Sequence, residues 1–168
     1  MNAARRAVAL EAQRVAGHAD PKSHERLLGA PLLQKHPPVY TNGAHFGHPS
    51  AVRLFTAPRL AVLAHNTLEV PTFTYGSAAA LEAFGLDWNG LVGMESRRSA
   101  EAGERAARQV LLDEVASQGY SANYRGVRIS RTGRRFEIQD AVVWNLVDDA
   151  GLTHGQAAAF RTDSVRCL

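Results

Sequence analysis

Seven histidines in 168 residues are many, and their spacing poses the first chemical question. His45-Phe46-Gly47-His48 is an H-x2-H pair, with His36 upstream. Two imidazoles so spaced can share a transition metal if folding brings in a third ligand such as His65 or His154. No cysteine lies near them and no HExxH occurs, so solvated loop histidines are the competing reading. His65-Asn66 closes one apolar run, and His154-Gly155-Gln156 opens another. Asp140 interrupts an apolar alternation. It can act as a general base or anchor a ligand amine. It can equally mark a β-bulge or face solvent at a sheet edge. Tyr75, Phe84, Tyr120, Tyr124 and Trp144 are candidates for lining a cavity or for plain core. No Ser-His-Asp pattern and no phosphate-binding glycine loop stands out, so no catalytic residue is assigned.

Composition bounds the elements that must position these residues. A chain of 168 residues, 45% hydrophobic, suits one domain with an appendage. The net charge of +3 is small, and the arginine pairs at 5–6, 97–98 and 134–135 scatter instead of forming a stripe. A nucleic-acid partner is therefore not expected. A single cysteine, Cys167, allows no intrachain disulfide and favours a reducing compartment. No apolar run approaches the roughly 20 residues of a membrane span. The first 17 residues read as an amphipathic helix rather than a secretory signal. The expectation is a cytoplasmic protein with no membrane partner.

Ala4, Val8, Ala12 and Val15 predict a helix over 3–17, ended by Asp20-Pro21. Residues 34–50 are irregular, punctuated by Pro37, Pro38, Gly43, Gly47 and Pro49. Ser50 can cap a short helix running to Phe55. Leu60 to Ala64 predicts a strand with Leu60, Val62 and Ala64 on one face, and Thr72 to Tyr75 a second strand. Ser77 and Gly85 bracket a helix, and Asp87 to Val92 adds a further turn. A long helix is predicted over 100–117, with Ala107, Val110, Leu111 and Val115 inward and Glu101, Glu104, Arg105 and Arg108 outward. Gly119 is its expected C-cap. Three strands then fill 119–160, turning at Thr132-Gly133 and Ala150-Gly151. In the long middle strand, Phe136, Ile138, Val142, Trp144 and Leu146 are expected to share a face, with Val143, Asn145 and Val147 on the other.

Strand, strand, short helices, long helix and three antiparallel strands is the order of a PAS domain. Within that superfamily the chain resembles the MEKHLA domain family. The likeness is carried by Leu60 to Thr67, Phe73-Thr74-Tyr75-Gly76, Ser96 to Glu101, Gly119-Tyr120, Trp144-Asn145-Leu146 and His154-Gly155-Gln156-Ala157. It covers about residues 50–161, with an LLGAPLL segment at 27–33 before it. The resemblance implies an α+β fold: a PAS-like five-stranded antiparallel sheet with helices on one face, plus an N-terminal helical extension. The implied division is 1–49 extension, 50–162 PAS-like domain and 163–168 tail. The PAS order also makes the first and last strands neighbours. His65, Asn66, Tyr75, Tyr124, Trp144, Asn145, His154 and Gln156 then become the candidate ligand-binding set, with His45 and His48 as metal candidates. The competing reading is that His65 satisfies backbone groups in a turn while Gln156 and Asn145 pair across strands.

In plants the family's domain ends transcription factors and resembles a sensory or dimer-regulating module; no DNA-binding region accompanies it in this sequence. The resulting expectation is a PAS-like sensory module holding a small organic ligand between sheet and helices, or a protein partner on the sheet. A homodimer formed through helix 3–17 would carry the signal. The cysteine is far in sequence from any cavity helix, which argues against thiol–flavin photochemistry. Two rivals remain: a small enzyme on the same scaffold, metal-assisted through histidines, and a structural interaction module.

Overall fold

The computed structural model describes residues 49–147 and 150–168. The helix expected at 3–17, the 27–33 segment and His36, His45 and His48 lie outside the described residues. Helix α1 (Pro49–Thr56) leads into β1 (Leu60–His65) and β2 (Phe73–Gly76), followed by α2 (Ala78–Phe84) and α3 (Trp88–Leu91). Two 3-10 turns, Ser96–Ser99 and Ala102–Glu104, precede α4 (Arg105–Gln118). Strands β3 (Tyr120–Ile129), β4 (Arg135–Val147) and β5 (Thr153–Arg161) follow, and Arg166–Cys167 forms a short β6.

The caps follow the sequence chemistry. Ser77 accepts from the Ala80 amide at the start of α2, and Gly85 closes it at φ 64. Asp87 accepts from the Gly90 amide at the start of α3. Gly119 caps α4 and donates to the Val115 carbonyl. Ser77 is wholly buried, and its hydroxyl also accepts from Val62 N at 3.0 Å and donates to Leu60 O at 3.0 Å, fixing α2 to β1.

The sheet is antiparallel in the order β2-β1-β5-β4-β3. To the five expected strands the structure adds β6, which pairs with the beginning of β4 through Phe136 and Cys167. Registers define two cross-strand rows. Trp144, Ala157, Ala64 and Tyr75 form one; Asn145, Gln156, His65 and Phe73 form the next. Adjacent rows point to opposite faces. The first row belongs to a core shared with Leu54 and Phe55 of α1 and with Trp88. The second faces the side covered by α2, α3 and α4.

Two side-chain phases differ from the periodic reading. On β4, Gly126 pairs with Ile138 but Tyr124 pairs with Ala141, so β4 spends one residue more than β3 over that interval. The extra residue is Asp140, exposed and at φ 52. Beyond it the alternation flips: Phe136, Ile138, Ala141, Val143 and Asn145 face the helices, while Val142, Trp144 and Leu146 face α1. The expected common face for 136, 138, 142, 144 and 146 is therefore broken by a β-bulge. Strand β3 has its own bulge at Asn123, φ 59, between Ser121 and Tyr124.

The second correction concerns α4. It starts at Arg105 and buries Arg108, Leu111, Leu112 and Val115, while Val110 is 67% exposed and Ala107 is also exposed. The inward stripe is a complete i, i+3, i+4, i+7 set whose first member is an arginine, which is why an apolar count rotates it by one residue.

Left-handed backbone costs an ordinary L-residue about 1–2 kcal/mol, and a β-branched one is least tolerant of it. Asp140→Gly is expected to keep or raise the unfolding free energy. Asp140→Val is expected to lower it by about 1–2 kcal/mol. Urea denaturation of the two variants checks this, and equal midpoints would contradict it.

Candidate functional site

Between α4 and the sheet lies a cavity of about 40 Å³. Leu63, Phe84, Leu111, Val143 and Phe160 give it apolar walls, and His65, Ser99, Arg108, Tyr124, Arg128 and Gln156 give it polar ones. Beside it, an open cleft of about 480 Å³ runs past the β1–β2 loop and the outer side of α4, reaching Asn66, Asp113, Asn145 and Thr153. His65, Leu112 and Gln156 line both spaces and so stand where the two adjoin.

Two amides hold α4 at that junction. Gln156 Nε2 donates to the Leu112 carbonyl at 2.9 Å and to Asn145 Oδ1 at 3.1 Å. Asn145 Nδ2 donates to the Val115 carbonyl at 3.0 Å. The backbone amide of Asn145 donates to the Gly119 carbonyl at 2.9 Å. The last turn of a helix has carbonyls without intrahelical partners; Asn145 Nδ2 also reaches one in that turn, Ala116, at 3.4 Å, while the Val115 carbonyl is shared with the Gly119 amide. The cross-strand pairing of Gln156 with Asn145 is thus present, and both side chains spend hydrogen bonds on the helix.

His65 stands opposite Gln156 in the register. Its Nδ1 lies 2.9 Å from the Asn66 carbonyl, which can only accept, so Nδ1 carries the proton. Nε2 is then an acceptor, buried and without a partner among the described residues. Burial holds the His65 pKa below its usual 6.5; the Asn66 carbonyl opposes this, and the positive charge of Arg108 adds to it. Gly155 makes the arrangement possible. At φ 153 a side chain is strained, and a Cβ would run into the His65 carbonyl. Asn66 closes the loop that follows, through Thr72 Oγ1 at 2.8 Å and the Thr72 amide at 3.0 Å.

The cationic residues of the cavity were not singled out by spacing. Arg108 from α4 is 8% exposed and Arg128 from β3 is 7% exposed. Arg108 Nη2 donates to Ser96 Oγ at 3.1 Å. Arg128 donates to Tyr124 Oη at 3.2 Å and to the Val127 carbonyl at 2.9 Å, with its guanidinium 5.4 Å from the Tyr124 ring centroid. Gly126 lies between them on the same side of β3. A Cβ there would overlap the Tyr124 hydroxyl and come within 2.9 Å of Arg128 Nη1. Tyr-x-Gly-x-Arg was the one signal in the sequence for this stacking; Arg108 was hidden by the rotated helix phase.

The residues proposed from sequence therefore divide. His65, Tyr124 and Gln156 line the cavity, and Asn66 and Asn145 line the cleft. Tyr75 and Trp144 lie on the opposite sheet face, in the core with Trp88. His154 is part-buried and lines neither space. Tyr120 is exposed at the start of β3. His45 and His48 lie outside the described residues. Among the described residues no group of three or more His, Cys, Asp or Glu is placed to hold a metal ion. Also among them, no helix is long and apolar enough to cross a membrane.

The MEKHLA domain model matches residues 21–164. No curated protein matches the chain. Among solved structures, the chain is similar to the PAS domain of a protein from Colwellia psychrerythraea, with 10% identity, 71% of this chain and 94% of that one covered, and a TM-score of 0.58. It is similar to a light-oxygen-voltage domain studied with a flavin analogue, at 14% identity, 72% and 85% coverage and a TM-score of 0.56. It is also similar to the Rhodobacter sphaeroides LOV protein, at 11% identity, 65% and 62% coverage and a TM-score of 0.53. At such identities the likeness is one of fold.

Asn145→Leu removes the donor to Val115 and the acceptor for Gln156 in a buried position. It is expected to lower the unfolding free energy by about 1–3 kcal/mol, measured in urea. For His65 the folded pKa is depressed, so the unfolded chain takes the proton first on acidification. Its contribution is complete above about pH 6.5 and is lost as pH falls below that value. His65→Phe is expected to flatten the acid limb of a stability–pH curve; an unchanged slope below pH 6.5 would count against the buried neutral imidazole.

Proposed function

Because the chain belongs to the MEKHLA domain family, we propose that it is a sensory module that holds a small molecule between α4 and the sheet. The observation that carries this reading is the shared lining. A mainly apolar cavity with a few polar groups and an open cleft have His65, Leu112 and Gln156 in common. A ligand entering the cavity from the cleft would pass these residues. Two of them report on α4 directly, since Leu112 belongs to that helix and Gln156 bonds its carbonyl. Occupancy is then coupled to the seating of the helix. A change in self-association is the output consistent with this coupling, and a homodimer is the assembly it would act on.

A flavin is a poor fit to this chain. Ligand pockets for molecules of drug size occupy about 300–1,000 Å³, whereas the cavity offers about 40 Å³. The single thiol, Cys167, is exposed on β6, and it is not among the cavity's lining residues. The ligand that suits the space is much smaller.

A ligand at a hundred times its Kd stabilises the native state by about 2.7 kcal/mol. A thermal-shift screen of small metabolites on the full chain is therefore expected to give a rise of several degrees with at least one compound. That compound is expected to change the sedimentation coefficient as well. A flat screen, together with a native mass equal to the bare chain for protein isolated from its host, would sink the reading.

A further inference from the structure

We propose that the cavity is a site for a short organic acid, its carboxylate seated between the guanidinium groups of Arg108 and Arg128 and a hydroxyl donated to His65 Nε2. The inference rests on the small-molecule reading above and adds the ligand's chemistry.

Both arginines are buried as residues, and both line the same small cavity. Buried cations are normally neutralised by an acid, because desolvation without a counter-charge is costly. Among the described residues no carboxylate pairs with either one. The ion pairs among the described residues, Arg59–Asp163, Arg97–Glu95, Arg135–Glu101 and Arg161–Asp163, all involve other arginines. The partners that Arg108 and Arg128 do have are a serine hydroxyl, a tyrosine hydroxyl and a peptide carbonyl, all formally neutral. Donors of both planar forks are left over, on nitrogens that are not fully buried. Burial lowers the Arg108 pKa to about 10, with Arg128 lowering it further and Tyr124 opposing. Arg108 therefore remains cationic at neutral pH. Forks of this kind match a carboxylate in geometry as well as charge.

The third polar element has the opposite need. His65 Nε2 accepts and has no donor among the described residues. A ligand bearing an anionic end and an adjacent O–H satisfies all three groups at once. A water molecule needs roughly 10–15 Å³ of such a cavity, so 40 Å³ limits the occupant to the size of a few water molecules. A two- or three-carbon 2-hydroxy acid is the class that meets both conditions.

The test is titration of the full chain at constant ionic strength and pH 7.5, read by thermal midpoint and calorimetry. The probes are sodium glycolate, acetate, glycolamide, inorganic phosphate and chloride. Glycolate is expected to raise the midpoint and bind, acetate to bind more weakly, and glycolamide, phosphate and chloride to do neither. Arg108→Met is expected to keep or raise the ligand-free midpoint while weakening glycolate roughly ten- to hundredfold. Arg128→Met is read independently if the first variant does not fold. His65→Phe is expected to reduce glycolate to the affinity of acetate. Equal binding of glycolamide, or of phosphate or chloride, would overturn the carboxylate assignment. So would an arginine variant that folds and keeps glycolate affinity. If neutral metabolites shift the midpoint and glycolate does not, the acid is wrong and the binding module stands. If neither these probes nor the metabolite screen shifts it and the native mass is that of the bare chain, both fall.

Discussion

One residue in the left-handed region decides which side of the sheet does what. Without Asp140 as an extra residue, β4 would carry its alternation straight through. Trp144 would then point at α4, and Asn145 would point at α1. The bulge reverses this, so the large indole goes to the core under α1 and the amide goes to the end of α4. Asn145 then meets Gln156, whose position opposite His65 is set by the close approach of Gly155 to β1. The cavity wall is thus the product of two backbone irregularities, neither of which is in the wall itself.

This arrangement separates support from recognition. Asn145, Gln156 and Asn66 look polar and available in a linear reading, yet their hydrogen bonds hold the helix and a loop. What is left unspent in the cavity is cationic on one side and a single acceptor nitrogen on the other. The buried acceptor His65 Nε2, without a partner among the described residues, lies on the same cavity as Arg108 and Arg128. Helix α4, which carries Arg108, is held by one narrow buried stripe and these side-chain bonds.

Much of the fold was legible from residues with strong local chemistry. Ser77, Gly85, Asp87 and Gly119 announced helix ends because side-chain or positive-φ caps act over three or four residues. Gly133 and Gly151 announced turns for the same reason. The order of elements sufficed for the PAS-like arrangement, and that in turn brought His65 and Gln156 together. What failed were phases. An Asp in an apolar strand is a bulge only if its partner strand lacks a matching residue, and that is a tertiary fact. Arg108 was misplaced because burial of an arginine depends on what surrounds it, and periodicity treats every charge as outward. Strand β6 is two residues long and had no pattern to read.

The bulges also bear on how copies of this chain meet. In the sheet order β3 is one edge and β2 the other. An edge strand with a regular ladder is a template for further strands, and proteins that stay dispersed spoil such edges. Asn123 breaks the outer ladder of β3 partway along, and its neighbour Asp140 twists the strand behind it. No straight strand can add there over the full length of β3. Edge-to-edge growth is discouraged on that side by the same backbone kinks that sort the core, so protection against aggregation comes built into the register.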